Sequence, residues 1–141
     1  HPRTTETVKA VFGDTVYFLA LLNARDQFHR QALQLSEHAP GPLVTTEWVL
    51  TELADTLALP PARERFTRLL ATLRAEADVE IVPANHELFE RGCALFAARK
   101  DKAWSLTDCL SFVVMQDRAI ETALTADQHF EQAGFRRLMQ S

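Results

Sequence analysis

Short apolar runs alternate along this chain with longer segments in which apolar positions recur every three or four residues, a pattern that predicts strands separated by helices. Val8 to Phe12 is largely apolar and ends in Gly13-Asp14, as a buried strand would, and Thr15 to Leu22 is apolar on nearly every side, as a buried helix would be. Gln27 to His38 carries Phe28, Ala32 and Leu35 at helical spacing and is stopped by Ala39-Pro40-Gly41-Pro42. Leu43-Val44-Thr45 predicts a second strand, followed by a helix from about Thr46 to Leu59 with Leu50, Leu53, Ala54 and Leu57 inward and Pro60-Pro61 as its stop. Ala62 to Glu76 is a charged amphipathic helix facing the core with Phe66, Leu69, Leu70 and Leu73, and Val79 to Val82 is a third strand. Asn85 to Lys100 predicts a helix with Leu88, Phe89, Leu95 and Phe96 inward.

Leu106 to Asp117 contains Cys109-Leu110-Ser111-Phe112-Val113-Val114-Met115, so densely apolar that this helix must lie against the centre of a sheet. Ile120 to Thr125 predicts a fourth strand, Asp127 to Gln132 a short helical turn, and Phe135 to Met139 a last edge strand. Strands joined by helical crossovers call for a mostly parallel sheet covered on both faces, a three-layer α/β/α sandwich. In such sheets functional groups gather beyond the carboxyl ends of the strands.

Composition narrows the class. A length of 141 residues with 47% hydrophobic content suits one domain, with no repeat or linker to divide residues 1–141. The first six or so residues are set aside as a trimmed end or expression remnant. The longest apolar stretch, Val16 to Leu22, is far too short to span a bilayer, and no signal core follows the N-terminus. Cys93 and Cys109 sit in helix-like apolar patterns and read as reduced thiols, which fits a cytoplasmic setting. A net charge of −4 argues against a long electrostatic footprint on nucleic acid, but an acidic site can have its charge reversed locally by bound metal.

The acids just after strands therefore matter most. Asp14 follows the first strand, where the structural alternative is a helix N-cap, and Asp127 repeats the arrangement after the fourth strand. Glu52 lies beside the apolar stripe of its helix, where a solvated surface charge is the alternative. Asp108, in Ser105-Leu106-Thr107-Asp108, fits a capping box, yet it opens the most buried helix of the chain. A carboxylate held near the sheet is costly without a cation or hydrogen-bond donors. Hard oxygen ligands select Mg²⁺ or Mn²⁺, and no His/Cys set with zinc spacing competes.

Four stretches resemble the PIN domain family in their order and spacing: Val11-Phe12-Gly13-Asp14-Thr15, Val49-Leu50-Thr51-Glu52-Leu53, Ser105-Leu106-Thr107-Asp108-Cys109, and Ala123-Leu124-Thr125-Ala126-Asp127 with Phe130 and Gly134-Phe135 after it. The resemblance covers nearly the whole chain. It implies a PIN-like ribonuclease fold, with Asp14, Glu52, Asp108 and Asp127 as the catalytic and metal-binding acids. Thr125 resembles the hydroxyl residue that stands beside the last acid. Val16 stands where many members carry Ser or Asn, which leaves Thr15 as the candidate second supporting hydroxyl.

The same resemblance implies a homodimeric endoribonuclease toxin silenced by a small antitoxin. The alternative is a PIN-like module that binds RNA or a protein without cutting. Arg99, Lys100, Lys102 and Trp104, on the approach to Asp108, are candidates to grip phosphate and stack a base of single-stranded RNA. Phe28 and Leu35 are candidates for a dimer face, although the same stripe could be core; Asp26 and Asp117 read as surface charges, and His29, His86 and His129 are given no catalytic part. A phosphatase of the haloacid dehalogenase type would want an Asp where Val16 stands, and a response-regulator receiver would want an acidic pair after its first strand.

Overall fold

The computed structural model describes residues 9–141, so the expected strand start at Val8 and the residues set aside before it lie outside the description. The elements follow in the order β1 (Val11–Gly13), α1 (Thr15–Leu22), α2 (His29–Glu37), β2 (Leu43–Thr46), α3 (Glu47–Thr56), α4 (Ala62–Ala75), β3 (Val79–Val82), α5 (His86–Ala98), α6 (Leu106–Asp117), β4 (Thr122–Leu124), α7 (Gln128–Gln132) and β5 (Arg136–Arg137). The strands form one sheet in the order β3-β2-β1-β4-β5, with every neighbouring pair parallel. This is the α/β sandwich that the alternation of patterns predicts.

The central position of β1 decides where chemistry can happen. Gly13 is in register with Leu124, and the Asp14 N–H donates to the Leu124 carbonyl at 3.3 Å. The chain therefore leaves β1 and β4 side by side, at the edge where crossover helices begin. Helix α6 is buried continuously from Asp108 to Met115, which explains its unbroken apolar run. Phe12, Phe18, Phe112, Phe130 and Met115 form the centre of the core, and Phe112 meets Phe130 edge-on with ring centroids 4.9 Å apart.

Several boundaries and faces differ from expectation. Helix α3 begins one residue later than expected because the Thr46 hydroxyl accepts from the Val49 N–H, and it ends at Thr56 rather than Leu59, which is fully in solvent reach. Phe89 and Phe96 are 40% and 51% exposed instead of facing inward. Helix α5 turns Leu88 and Gly92 to the core, and a Cβ at Gly92 would lie 2.4 Å from Leu110 Cδ2. The missing side chain lets α6 come close there and rotates the two phenylalanines outward. Of the two readings of Phe28 and Leu35, dimer face or core stripe, the fold has both half-buried against the core, while Leu33 of α2 is exposed.

Candidate metal centre at the carboxyl edge of the sheet

Asp14 occupies the N-cap position of α1 with extended backbone, yet its side chain makes no capping bond. Only 4% exposed, it accepts a hydrogen bond at Oδ2 from Thr125 Oγ1 at 2.7 Å. That hydroxyl oxygen accepts in turn from the Asp127 N–H at 3.0 Å. Thr125, directly after β4, thus fixes the acid after β1 and the backbone of the next acid together. Asp127 caps α7, its Oδ1 accepting from the His129 N–H at 2.9 Å.

Asp108 does form the capping box suggested by its sequence: its N–H donates to Ser105 Oγ and its Oδ2 accepts from the Ser105 N–H, both at 3.0 Å. The structural role and a site role coexist, because the cap holds the carboxylate at the mouth of α6, facing the loop after β4. Ligand atoms of Asp108, Asp127 and His129 lie within 4.8 Å of one another. Glu52 is half-buried on α3 outside that group, and its Oε1 accepts from Thr15 Oγ1 at 2.5 Å. It is tied in this way to the residue that follows Asp14.

The electrostatics are those of an uncompensated acidic cluster. Burial pushes Asp14 from 3.8 up to about 7; the Thr125 hydrogen bond opposes this, the charges of Asp108 and Asp127 add to it, and the Thr15 backbone opposes it. Asp108 is likewise raised, first by burial, against its bonds from Ser105 and His129. Among the described residues no Lys or Arg pairs with Asp14, Glu52, Asp108 or Asp127, and His129 is the one partner able to carry positive charge. Crowded carboxylate oxygens without a Lys or Arg counter-charge fit a divalent cation of the Mg²⁺ or Mn²⁺ kind.

His129, given no part by the sequence reading, stands inside this cluster, with Nδ1 at 3.0 Å from Asp108 Oδ2 and 3.4 Å from Asp127 Oδ1. The available signal was its position two residues after an acid that follows a strand. His29 instead contacts the Ala20 carbonyl at 2.7 Å, and His86 is exposed on α5. Asp117 is a surface charge paired with Arg91, and Asp26 caps a turn at the Phe28 N–H.

The expected RNA-gripping set is split. Trp104 is only 6% exposed, packs edge-on against Phe112 at 5.0 Å and donates from Nε1 to Gln132 at 3.0 Å. Buried to this extent and overlaid by Arg99, the ring leaves little surface for the base stacking expected of it. Arg99 pairs with Asp101 and lies 4.9 Å over the Trp104 ring. Lys102 is near Asp101 at 3.9 Å, while Lys100 is exposed.

The PIN domain family matches residues 11–136 of this chain. The 23S rRNA-specific endonuclease VapC20 of Mycobacterium tuberculosis, from strains CDC 1551 / Oshkosh and ATCC 25618 / H37Rv, is 30% identical over 125 residues, spanning 89% of this chain and 95% of that protein. The crystal structure of Mycobacterium tuberculosis VapC20, described as a Sarcin-Ricin loop cleaving toxin, superposes with a TM-score of 0.82 at 27% identity over 92% of this chain and 98% of that one. A toxin-antitoxin complex from Klebsiella pneumoniae shares the fold, with a TM-score of 0.60 at 20% identity over 84% of this chain and 87% of that one.

Proposed function

Because the chain belongs to the PIN domain family, we propose that it is a metal-dependent endoribonuclease of the toxin type, hydrolysing RNA phosphodiester bonds at Asp14, Asp108 and Asp127 with Glu52 beside them. The observation that carries this reading is the set of crowded acids at the adjoining ends of β1 and β4 and the start of α6, with no Lys or Arg among the described residues to neutralise them. We read residues 1–141 as one PIN domain acting in the cytoplasm as a homodimer, with Mg²⁺ or Mn²⁺ as its ion.

A divalent ion bound there would acidify the attacking water and neutralise charge on the phosphate and the leaving oxygen. The protein's own part is preorganisation. Thr125 orients Asp14, the Ser105 box holds Asp108, and Thr15 steadies Glu52, so the acidic groups are fixed before substrate arrives. Lys100 and Lys102 offer phosphate contacts on the approach to α6; Arg99, committed to Asp101, shapes that surface through Trp104.

Near-full-length similarity to a 23S rRNA-specific endonuclease makes a ribosomal RNA stem-loop the first substrate to test. Similarity to toxins also favours a small antitoxin as the controlling partner. The test compares wild type with Asp14→Asn and Asp108→Asn on a mixed RNA pool and on an isolated Sarcin-Ricin stem-loop, with Mg²⁺, Mn²⁺ or EDTA. Cleavage that needs metal and falls at least ~100-fold in both variants is the expected result. A pure wild type that binds RNA without metal-dependent cutting would make the chain a non-catalytic PIN-like module.

A further inference from the structure

Resting on that reading of the acids as metal ligands, we propose that His129 is a positioning residue of the centre. Its Nδ1–H holds Asp108 and its backbone N–H holds Asp127 from the flank, so that each carboxylate keeps one oxygen turned to the ion.

The argument lies in which oxygens the imidazole touches. Asp108 Oδ2 already accepts from the Ser105 N–H, and Asp127 Oδ1 already accepts from the N–H of His129 itself. Nδ1 approaches these same two atoms, at 3.0 Å and 3.4 Å. Among the described residues no side-chain or backbone donor reaches Asp108 Oδ1 or Asp127 Oδ2. One oxygen of each acid is therefore clamped by protein and the other is left to a ligand. A nitrogen 3.0 Å from an ionised carboxylate is attracted only if it carries the proton, which makes Nδ1 the donor here and not the ion's ligand.

The local chain explains why residue 129 can do this. Asp127 caps α7 through the His129 N–H, which brings the first turn of that helix up against the mouth of α6. Two neighbouring carboxylates repel and would rotate apart; a donor set between them opposes that rotation without competing for the free oxygens. With side-chain exposures of 24% for His129 and 11% for Asp108, the contact is partly shielded from water, which strengthens it. Hydrogen-bonding partners of this outer kind are commonly worth about 10–100-fold in metal affinity.

The experiment titrates the full chain with Mn²⁺ alone, without RNA, following the free-ion EPR signal in wild type, His129→Ala and His129→Asn, with melting curves to verify folding. Asn can set an amide N–H near the place of Nδ1 but offers no imidazole lone pair. Mn²⁺ binding should weaken roughly 10–100-fold in His129→Ala and return close to wild type in His129→Asn. In parallel, long-range ¹H–¹⁵N spectra of the metal-free protein should find the proton on Nδ1.

Unchanged affinity in His129→Ala, or an unprotonated Nδ1, would overturn the inference. So would a loss in His129→Asn as deep as in His129→Ala, accompanied by a directly bound ¹⁴N in pulsed EPR, since His129 would then be a ligand. Wild type that binds no Mn²⁺ would sink the nuclease reading, and this inference with it. Mn²⁺ bound equally well by wild type and His129→Ala would sink the inference alone.

Discussion

At the scale of the residue, Asp14 carries the largest electrostatic cost in the site. Its folded-state value of about 7 lies above the ordinary 3.8, so between these limits the folded chain holds more protons than the unfolded one. The contribution of Asp14 to stability without metal therefore falls as pH rises from about 4 to about 7 and is flat beyond. Asp14→Asn keeps the acceptor for Thr125 and removes the charge. In EDTA at pH 8 it should be more stable than wild type by on the order of 2–4 kcal/mol, a gain that vanishes below about pH 4. Denaturant melts at the two pH values measure this, and a variant less stable at pH 8 would contradict it. Asp14 was legible in the sequence because it follows a strand. His129 and Trp104 were not, because their partners, Asp108 and Gln132, lie 21 and 28 residues away and only tertiary packing brings them near.

At the scale of the element, all twelve segments were legible in order, since hydrophobic period separates short strands from the longer helices and an Asp after β4 marks the short α7. The rotation of α5 was not. Its apolar positions cover a wide arc, and Gly92 decides which part faces α6, through the space that a missing Cβ leaves to Leu110. Gly92→Ala gains up to ~1 kcal/mol of helix propensity but forces a methyl against the buried Leu110, at a cost of about 1–3 kcal/mol. We expect overpacking to win by roughly 1 kcal/mol, seen as a lower denaturation midpoint with unchanged slope. A midpoint that rises would mean that α5 and α6 separate freely. Because α6 also presents Asp108, looser packing there should weaken metal binding as well.

At the scale of the molecule, the parallel order places the ends of β1 and β4 together, so that an ion held by the acids there would tie the stability of the whole domain to metal. An ion that binds only the folded chain must displace the proton from Asp14, so its effect should grow with pH. The rise in melting temperature on adding Mn²⁺ should be clearly larger at pH 8 than at pH 6, and absent in Asp14→Asn. A rise of equal size at both pH values would place the ion away from Asp14. The sheet class was legible from the alternation of elements, whereas the adjacency of β1 and β4 depends on how crossovers wind and left no mark in any one segment.

That adjacency also sets a schedule. Strand β1 can pair early with β2, but its other edge must wait for β4, where Gly13 meets Leu124, and Thr125 and Asp127 follow later still. During synthesis Asp14 is therefore made 111 residues before the Thr125 that orients it. Such a long-range pairing also closes slowly. If the finished protein attacks ribosomal RNA, the ribosome that makes it is shielded from that activity until β4 and α7 have been made, a delay written into the order of elements along the chain.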